Sequence, residues 1–109
     1  GGLDLTGGTL RIPGGRLDIL DTQTIEGGTV ELLGSASWSY LAIPAQKTLT
    51  LSASTLLRGG PGWVQGEGTL RNLGVIRADV AGATLRIRPA VFLNEGTIVT
   101  ANGGILDAP

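Results

Sequence analysis

Apolar and polar residues alternate along this chain in runs of four or five, and the runs recur. Six fall between Gly66 and Ala108: Thr69–Asn72 (TLRN), Val75–Asp79 (VIRAD), Thr84–Arg88 (TLRIR), Val91–Asn94 (VFLN), Thr97–Ala101 (TIVTA) and Ile105–Ala108 (ILDA). Alternation with period two is the signature of a half-buried strand, and corners containing Gly, Pro or Asn separate the runs. The runs come in threes. Thr69 to Val91 and Val75 to Thr97 are steps of 22 positions, and Thr84 to Ile105 is a step of 21. Three short strands in a repeat of this length predict one coil of a parallel β-solenoid.

The first third extends the pattern with Gly7–Ile12 (GGTLRI), Gly14–Ile19 (GGRLDI) and Gly27–Leu32 (GGTVEL), with a Pro-Gly-Gly corner at Pro13–Gly15. Thr9, Thr29, Thr48, Thr69 and Val91 follow one another at steps of 19 to 22 and are expected to mark the first strand of about five coils. One position on, Leu10, Val30, Leu49, Leu70 and Phe92 form the expected inward column, because strand side chains alternate faces. A second column is expected from Leu17, Leu56, Ile76 and Ile98, and a third from Ile25, Val64, Leu85 and Leu106. On the outer surface the same spacing sets Arg11 beside Glu31 and Arg86 beside Asp107. It also brings Asn72 and Asn94 into register, where stacked amides can bond each other. An antiparallel sandwich of short strands is the competing reading, but it does not explain a repeat that carries charge and Asn in step. Two stretches, Gly34–Gln46 and Leu57–Gly68, lose clean alternation and read as corners or bulges projecting from the stack.

The 109 residues bound the chain to one domain, a solenoid over residues 1–109. There is no His, Cys or Met, so disulfides and the imidazole and thiolate metal ligands are absent. Eight basic and nine acidic residues are scattered, with a net charge of −1, and form no basic patch for nucleic acid. No apolar run reaches the length of a membrane span. The chain opens GGLDL in strand register without an initiator Met. The expectation is a segment or processed product of a longer protein, or a subunit that stacks on copies of itself.

Candidate chemistry is sparse. Asp18, Asp21, Glu26 and Glu31 are the densest acidic group. No catalytic motif surrounds them, so they read as solvated corner and face residues and no enzymatic role is expected. Two carboxylates at Asp18 and Asp21 are too few for a calcium ion wanting six or more oxygens, and no cofactor is expected. The threonine pairs Thr22/Thr24 and Thr48/Thr50 look like pieces of an ice-binding array but are not expected to stack. The aromatics Trp38, Tyr40 and Trp63 are the better candidates, because exposed flat rings offer sugars an apolar platform. Packing against a coil edge is the competing role for them.

The pattern G-x-G-T-L-x-N-x-G-x-I, G-A-T-L-x-I, N-x-G-T-I and G-G-x-L across Gly66–Ala108 resembles the right-handed parallel β-helices of secreted bacterial proteins, the autotransporter passengers and filamentous-haemagglutinin-like adhesins. The likeness is good over about forty residues, fair over Gly7–Leu32 and poor between. It implies a right-handed β-helix from an exported or cell-surface protein with a structural or adhesive role. It also implies partners that are neighbouring coils, further copies of the chain or surface glycans. The same solenoid carries pectin-degrading enzymes and phage tailspike glycosidases, so a fragment of a carbohydrate-active enzyme is a further alternative.

Overall fold

The computed structural model describes residues 3–4, 8–12, 14–19, 21–34 and 38–108. Gly1, Gly2 and Leu5 of the opening run, Gly7, Pro13 of the first corner and the terminal Pro109 lie outside them. Among the described residues are thirteen strands and no helix: β1 (Leu3–Asp4), β2 (Thr9–Ile12), β3 (Gly15–Asp18), β4 (Gln23–Glu26), β5 (Thr29–Leu32), β6 (Ser39–Ala42), β7 (Thr48–Leu51), β8 (Leu56–Gly59), β9 (Gly62–Asn72), β10 (Val75–Ala78), β11 (Thr84–Asn94), β12 (Thr97–Thr100) and β13 (Ile105–Asp107). Every pairing between them is parallel. They wind into a β-solenoid of about four turns with three faces.

The first face stacks β2, β5, β8, β10 and β12. The second stacks β3, β6, the start of β9, the start of β11, and β13; the third stacks β1, β4, β7 and the ends of β9 and β11. Strands β9 and β11, each 11 residues long, turn the corner between the second and third faces.

The register of the last coils is the one the repeat predicts. Thr69 pairs with Val91, Val75 with Thr97, and Thr84 with Ile105. Leu70 lies between Leu49 and Phe92. The single threonine ladder breaks in the second coil. Thr29 pairs with Leu56, a step of 27, and not with Thr48. Thr48 belongs to the third face, under Gln23–Ile25, where Gln23 pairs with Leu49 at a step of 26. Longer connections between β5 and β6, at 43–47 and at 52–55 lengthen this coil, so steps range from 19 to 27 residues and not from 19 to 22.

The expected columns redistribute accordingly. The first face buries Leu10, Val30, Leu57, Ile76 and Ile98 in register. Leu56 points outward, one position off the expectation, because the turn Ser52–Thr55 shifts the phase. Leu17 stacks with Leu41, Val64 and Ile87 on the second face. Leu85 covers Leu106 as expected, whereas Ile25 sits on the third face beside Leu51.

Among the described residues the two irregular stretches do not project; Ser35–Ser37 of the first lie outside them. Ser39–Ala42 and Gly62–Gln65 are full rungs of the second face. Their alternation is hidden because the first inward position of each, Ser39 and Gly62, is small or polar and only the second, Leu41 and Val64, is a large apolar residue. A Cβ on Gly62 would lie 2.5 Å from Leu32 Cβ, so the bulky Leu32 fills the space that a larger residue would need. Ser39, fully buried, donates its hydroxyl to the Ile12 carbonyl.

A polar seam runs up the corner between the third and first faces. Ser52 and Thr55 hydroxyls lie 2.8 Å apart; Ser52 Oγ accepts from Gly27 N, and Thr55 Oγ1 donates to the Ile25 carbonyl. Below them, buried Asn72 accepts from Gly74 N at 3.1 Å and donates to Asn94 Oδ1 at 2.9 Å, the amide ladder expected from the spacing. A side chain at Gly74 would collide with the Thr55 and Ser52 carbonyls. The Asn-x-Gly corner therefore needs both residue types: Asn to satisfy the turn and Gly to admit the rung above.

The last rung differs from the others on its outer surface. Val91, Leu93, Val99 and Ile105 are the exposed large hydrophobics among the described residues, 38–50% accessible, and all four lie on the final rung. On earlier rungs the positions of Val91, Leu93 and Val99 carry mainly Thr, Arg or Glu.

Candidate functional site

The second face brings the three sequence-picked aromatics together. Tyr40 and Trp63 are register partners on adjacent rungs, with ring centroids 5.8 Å apart and planes at 37°. Trp38, just before β6, meets Trp63 edge-on at 6.1 Å. All three are half-buried. Such pairs contribute about 0.5–1.5 kcal/mol beyond the area they bury.

Residues that the sequence reading did not connect to these rings complete the site. The outward column runs Arg16, Tyr40, Trp63, Arg86, Asp107, one residue per rung. The Arg86 guanidinium sits 4.8 Å from the Trp63 ring centroid and 5.3 Å from that of Trp38, within cation–π range. Arg86 Nε also donates to Asp107 at 2.9 Å, the pair expected from the repeat, and Arg88 reaches the same carboxylate. At the other end Arg16 Nε donates to Asp18 at 2.6 Å. An open groove of about 530 Å³ is lined by Gly15, Arg16, Tyr40, Trp63 and Gln65. The step of 23 between Trp63 and Arg86 was the signal in the sequence that would have joined them. Trp63 Nε1 is buried with no acceptor among the described residues, a cost of about 1–3 kcal/mol that the stacking offsets.

The acidic group is dispersed. Asp18 lies on the second face with Arg16, and Asp21 is 3.7 Å from Lys47 at a corner. Glu26 ends β4 on the third face. Glu31 lies on the first face, accepting from Arg11 at 2.9 Å and from Arg58. No group of three or more potential metal ligands occurs among the described residues. The threonine pairs do stack, contrary to expectation. Thr24 pairs with Thr50, and Thr48 N donates to Thr22 Oγ1 at 3.1 Å, because β7 falls under β4 and not under β5. The next rung replaces the second threonine by Arg71, so the array stops after two rungs.

Charge on the first face forms a continuous ladder, Arg11, Glu31, Arg58 and Arg77 on successive rungs. Asp79, whose side chain is only 5% exposed, reconciles the like-charged neighbours by accepting from Arg58 at 2.8 Å and Arg77 at 3.0 Å. Several carboxyls are held below their ordinary pKa. The Arg11 hydrogen bond lowers Glu31, against the opposing effect of burial and with help from Arg58. Burial alone would raise Asp79, but its bonds to Arg58 and Arg77 together outweigh that and lower it. Arg71 lowers Glu95; Arg88, then Arg86, lower Asp107.

A group with a depressed folded-state pKa stabilises above its unfolded pKa and loses that contribution as pH falls through the folded value. Thermal melts should therefore be nearly flat from neutral pH down to about 5. The melting temperature should then fall progressively below about pH 4, where unfolded carboxyls begin to take up protons. A melting temperature that rises on acidification would contradict the ladder.

No protein-family model, curated protein or solved structure matches the chain.

Proposed function

We infer that the chain is a structural and adhesive β-solenoid segment of an exported bacterial surface protein or fibre, right-handed in winding, with no catalysis of its own. Its work is reach and rigidity: a stack of rungs that holds outward side chains in fixed rows. One observation carries this reading. Outward side chains stand in unbroken rows from rung to rung, Arg11, Glu31, Arg58 and Arg77 on one face and Arg16, Tyr40, Trp63 and Arg86 on another, as a rigid display surface requires. The resemblance to secreted adhesins supplies the extracellular setting. A fragment of a carbohydrate-active enzyme is disfavoured, because the carboxylates are spread over three faces and most are held by Arg or Lys.

A second reading, the self-stacking subunit of a filament, is favoured by a separate feature. Arg16 on the first rung and Asp107 on the last belong to one outward column, so head-to-tail stacking would set them side by side. Such a contact is heterologous and does not close. The isolated chain should therefore associate end to end, giving scattering mass that rises with concentration and linear particles by electron microscopy. A strictly monomeric species over the whole series would overturn the open-ended stack.

A further inference from the structure

We propose that the outward column Arg16, Tyr40, Trp63 and Arg86 is a binding site for an acidic glycan, a linear chain of pyranose rings carrying carboxylate or sulfate groups, laid along the solenoid axis. The proposal rests on the adhesive half of the reading above and gives it a ligand class.

The register supplies the geometry. The four residues stand on successive rungs and point from one face. Rungs repeat at about 4.8 Å, and a pyranose ring advances an extended glycan by a similar length. Successive sugars can thus meet successive rungs, two of them presenting rings. Tyr40 and Trp63, with ring centroids 5.8 Å apart and planes at 37°, set two aromatic rings on successive rungs of this face. The groove over them, about 530 Å³, is within the range of small-molecule sites. Gln65 on its wall adds an amide that can donate to and accept from sugar hydroxyls.

The arginines make the choice of an acidic chain over a neutral one. Arg16 and Arg86 bracket the rings, each spending its Nε on an aspartate. The terminal amines remain to meet an anion in the fork geometry that suits carboxylate and sulfate. Arg86 is held against two indoles, its guanidinium carbon 4.8 Å from the Trp63 ring centroid and 5.3 Å from that of Trp38, so little rotamer entropy is lost when it binds. The Arg16 side chain is 60% exposed and its aspartate 50% exposed, so that ion pair is weak and easily exchanged for a ligand. A peptide fits less well. The middle rungs have both backbone edges paired, leaving no strand to augment, and a peptide does not present flat rings at rung spacing.

The test titrates the chain with a galacturonate hexamer, a heparin hexasaccharide, cellohexaose and hexaglutamate, read by tryptophan fluorescence and calorimetry at low and high salt. At least one acidic oligosaccharide should bind, more weakly at high salt, and cellohexaose and hexaglutamate should each bind at least about tenfold less tightly. The tighter of the two acidic probes assigns carboxylate or sulfate. Arg16→Gln should weaken binding about tenfold with an unchanged melting curve, and Tyr40→Ala should weaken it about tenfold in a chain that stays folded, with a melting temperature lowered by the lost ring contact. Tyr40→Ala leaves both end rungs intact, so end-to-end association should persist in it while binding is lost. The proposal is overturned if neither acidic probe binds the folded chain, if cellohexaose binds equally well, or if hexaglutamate does. Loss of association with glycan binding retained would instead sink the stacking reading and leave this one standing.

Discussion

Leu70→Ala should destabilise the fold by about 2–5 kcal/mol, whereas Thr69→Ala beside it should change stability by less than about 0.5 kcal/mol. Leu70 is fully buried on the fourth of the five rungs of the third face, between Leu49 above and Phe92 below. Truncation removes the transfer free energy of the lost atoms and leaves a cavity that the rungs cannot close, because their spacing is set by backbone hydrogen bonds. Thr69 alternates to the outer surface and packs on nothing comparable. Urea denaturation of both variants checks this, and equal losses would show that the inward register is wrong. In a stack where each rung touches only its neighbours, a cavity at this height also weakens the coupling of the last rung to the rest. The transition of Leu70→Ala should consequently broaden as well as shift.

The second large effect is expected at Asp79. Its nearly buried carboxylate is what allows Arg58 and Arg77 to occupy adjacent rungs. In Asp79→Ala the two guanidiniums face each other, and Arg58, already part-buried, keeps only Glu31. Breaking a fully buried ion pair costs about 3–5 kcal/mol; with Arg77 at 40% exposure, about 2–3 kcal/mol is expected here. The double variant Asp79→Ala/Arg77→Ala should recover part of the loss, because it removes the repulsion. A single-variant cost within the range of about 0–1 kcal/mol for exposed pairs would show that solvent screens the ladder.

The last two coils were legible from the residues because nothing interrupts their step. There Asn72 over Asn94 and Arg86 over Asp107 follow directly from counting. The second coil was not legible for two physical reasons. Its corners are longer, and Thr48 happens to lie at the right distance from Thr29 to imitate a rung partner when the true partner is Leu56. Its first inward positions are Ser39, which bonds the Ile12 carbonyl, and Gly62, which makes room for Leu32, and the apolar signal there falls to Leu41 and Val64 alone. The aromatic site suffered from the same gap. Trp38, Tyr40 and Trp63 could be named as exposed-ring candidates, but they could not be placed against Arg16 and Arg86 until the coil between them was in register. The Arg58–Asp79 bond was hidden by a different cause. Rung counting sets Arg58 beside another arginine, and the compensating carboxylate comes from the corner beyond the strand.

The direction of the backbone bonds has a mechanical consequence. Every strand pairing in the stack is parallel and lies between rungs, so the N–H···O=C bonds point along the solenoid axis. Tension applied along that axis loads the rungs in series: each interface bears the whole force, and the weakest one opens first. Force applied across a face is instead shared among all the rungs at once. The molecule thus resists compression and force spread across a face, and opens as a zipper when pulled from its ends.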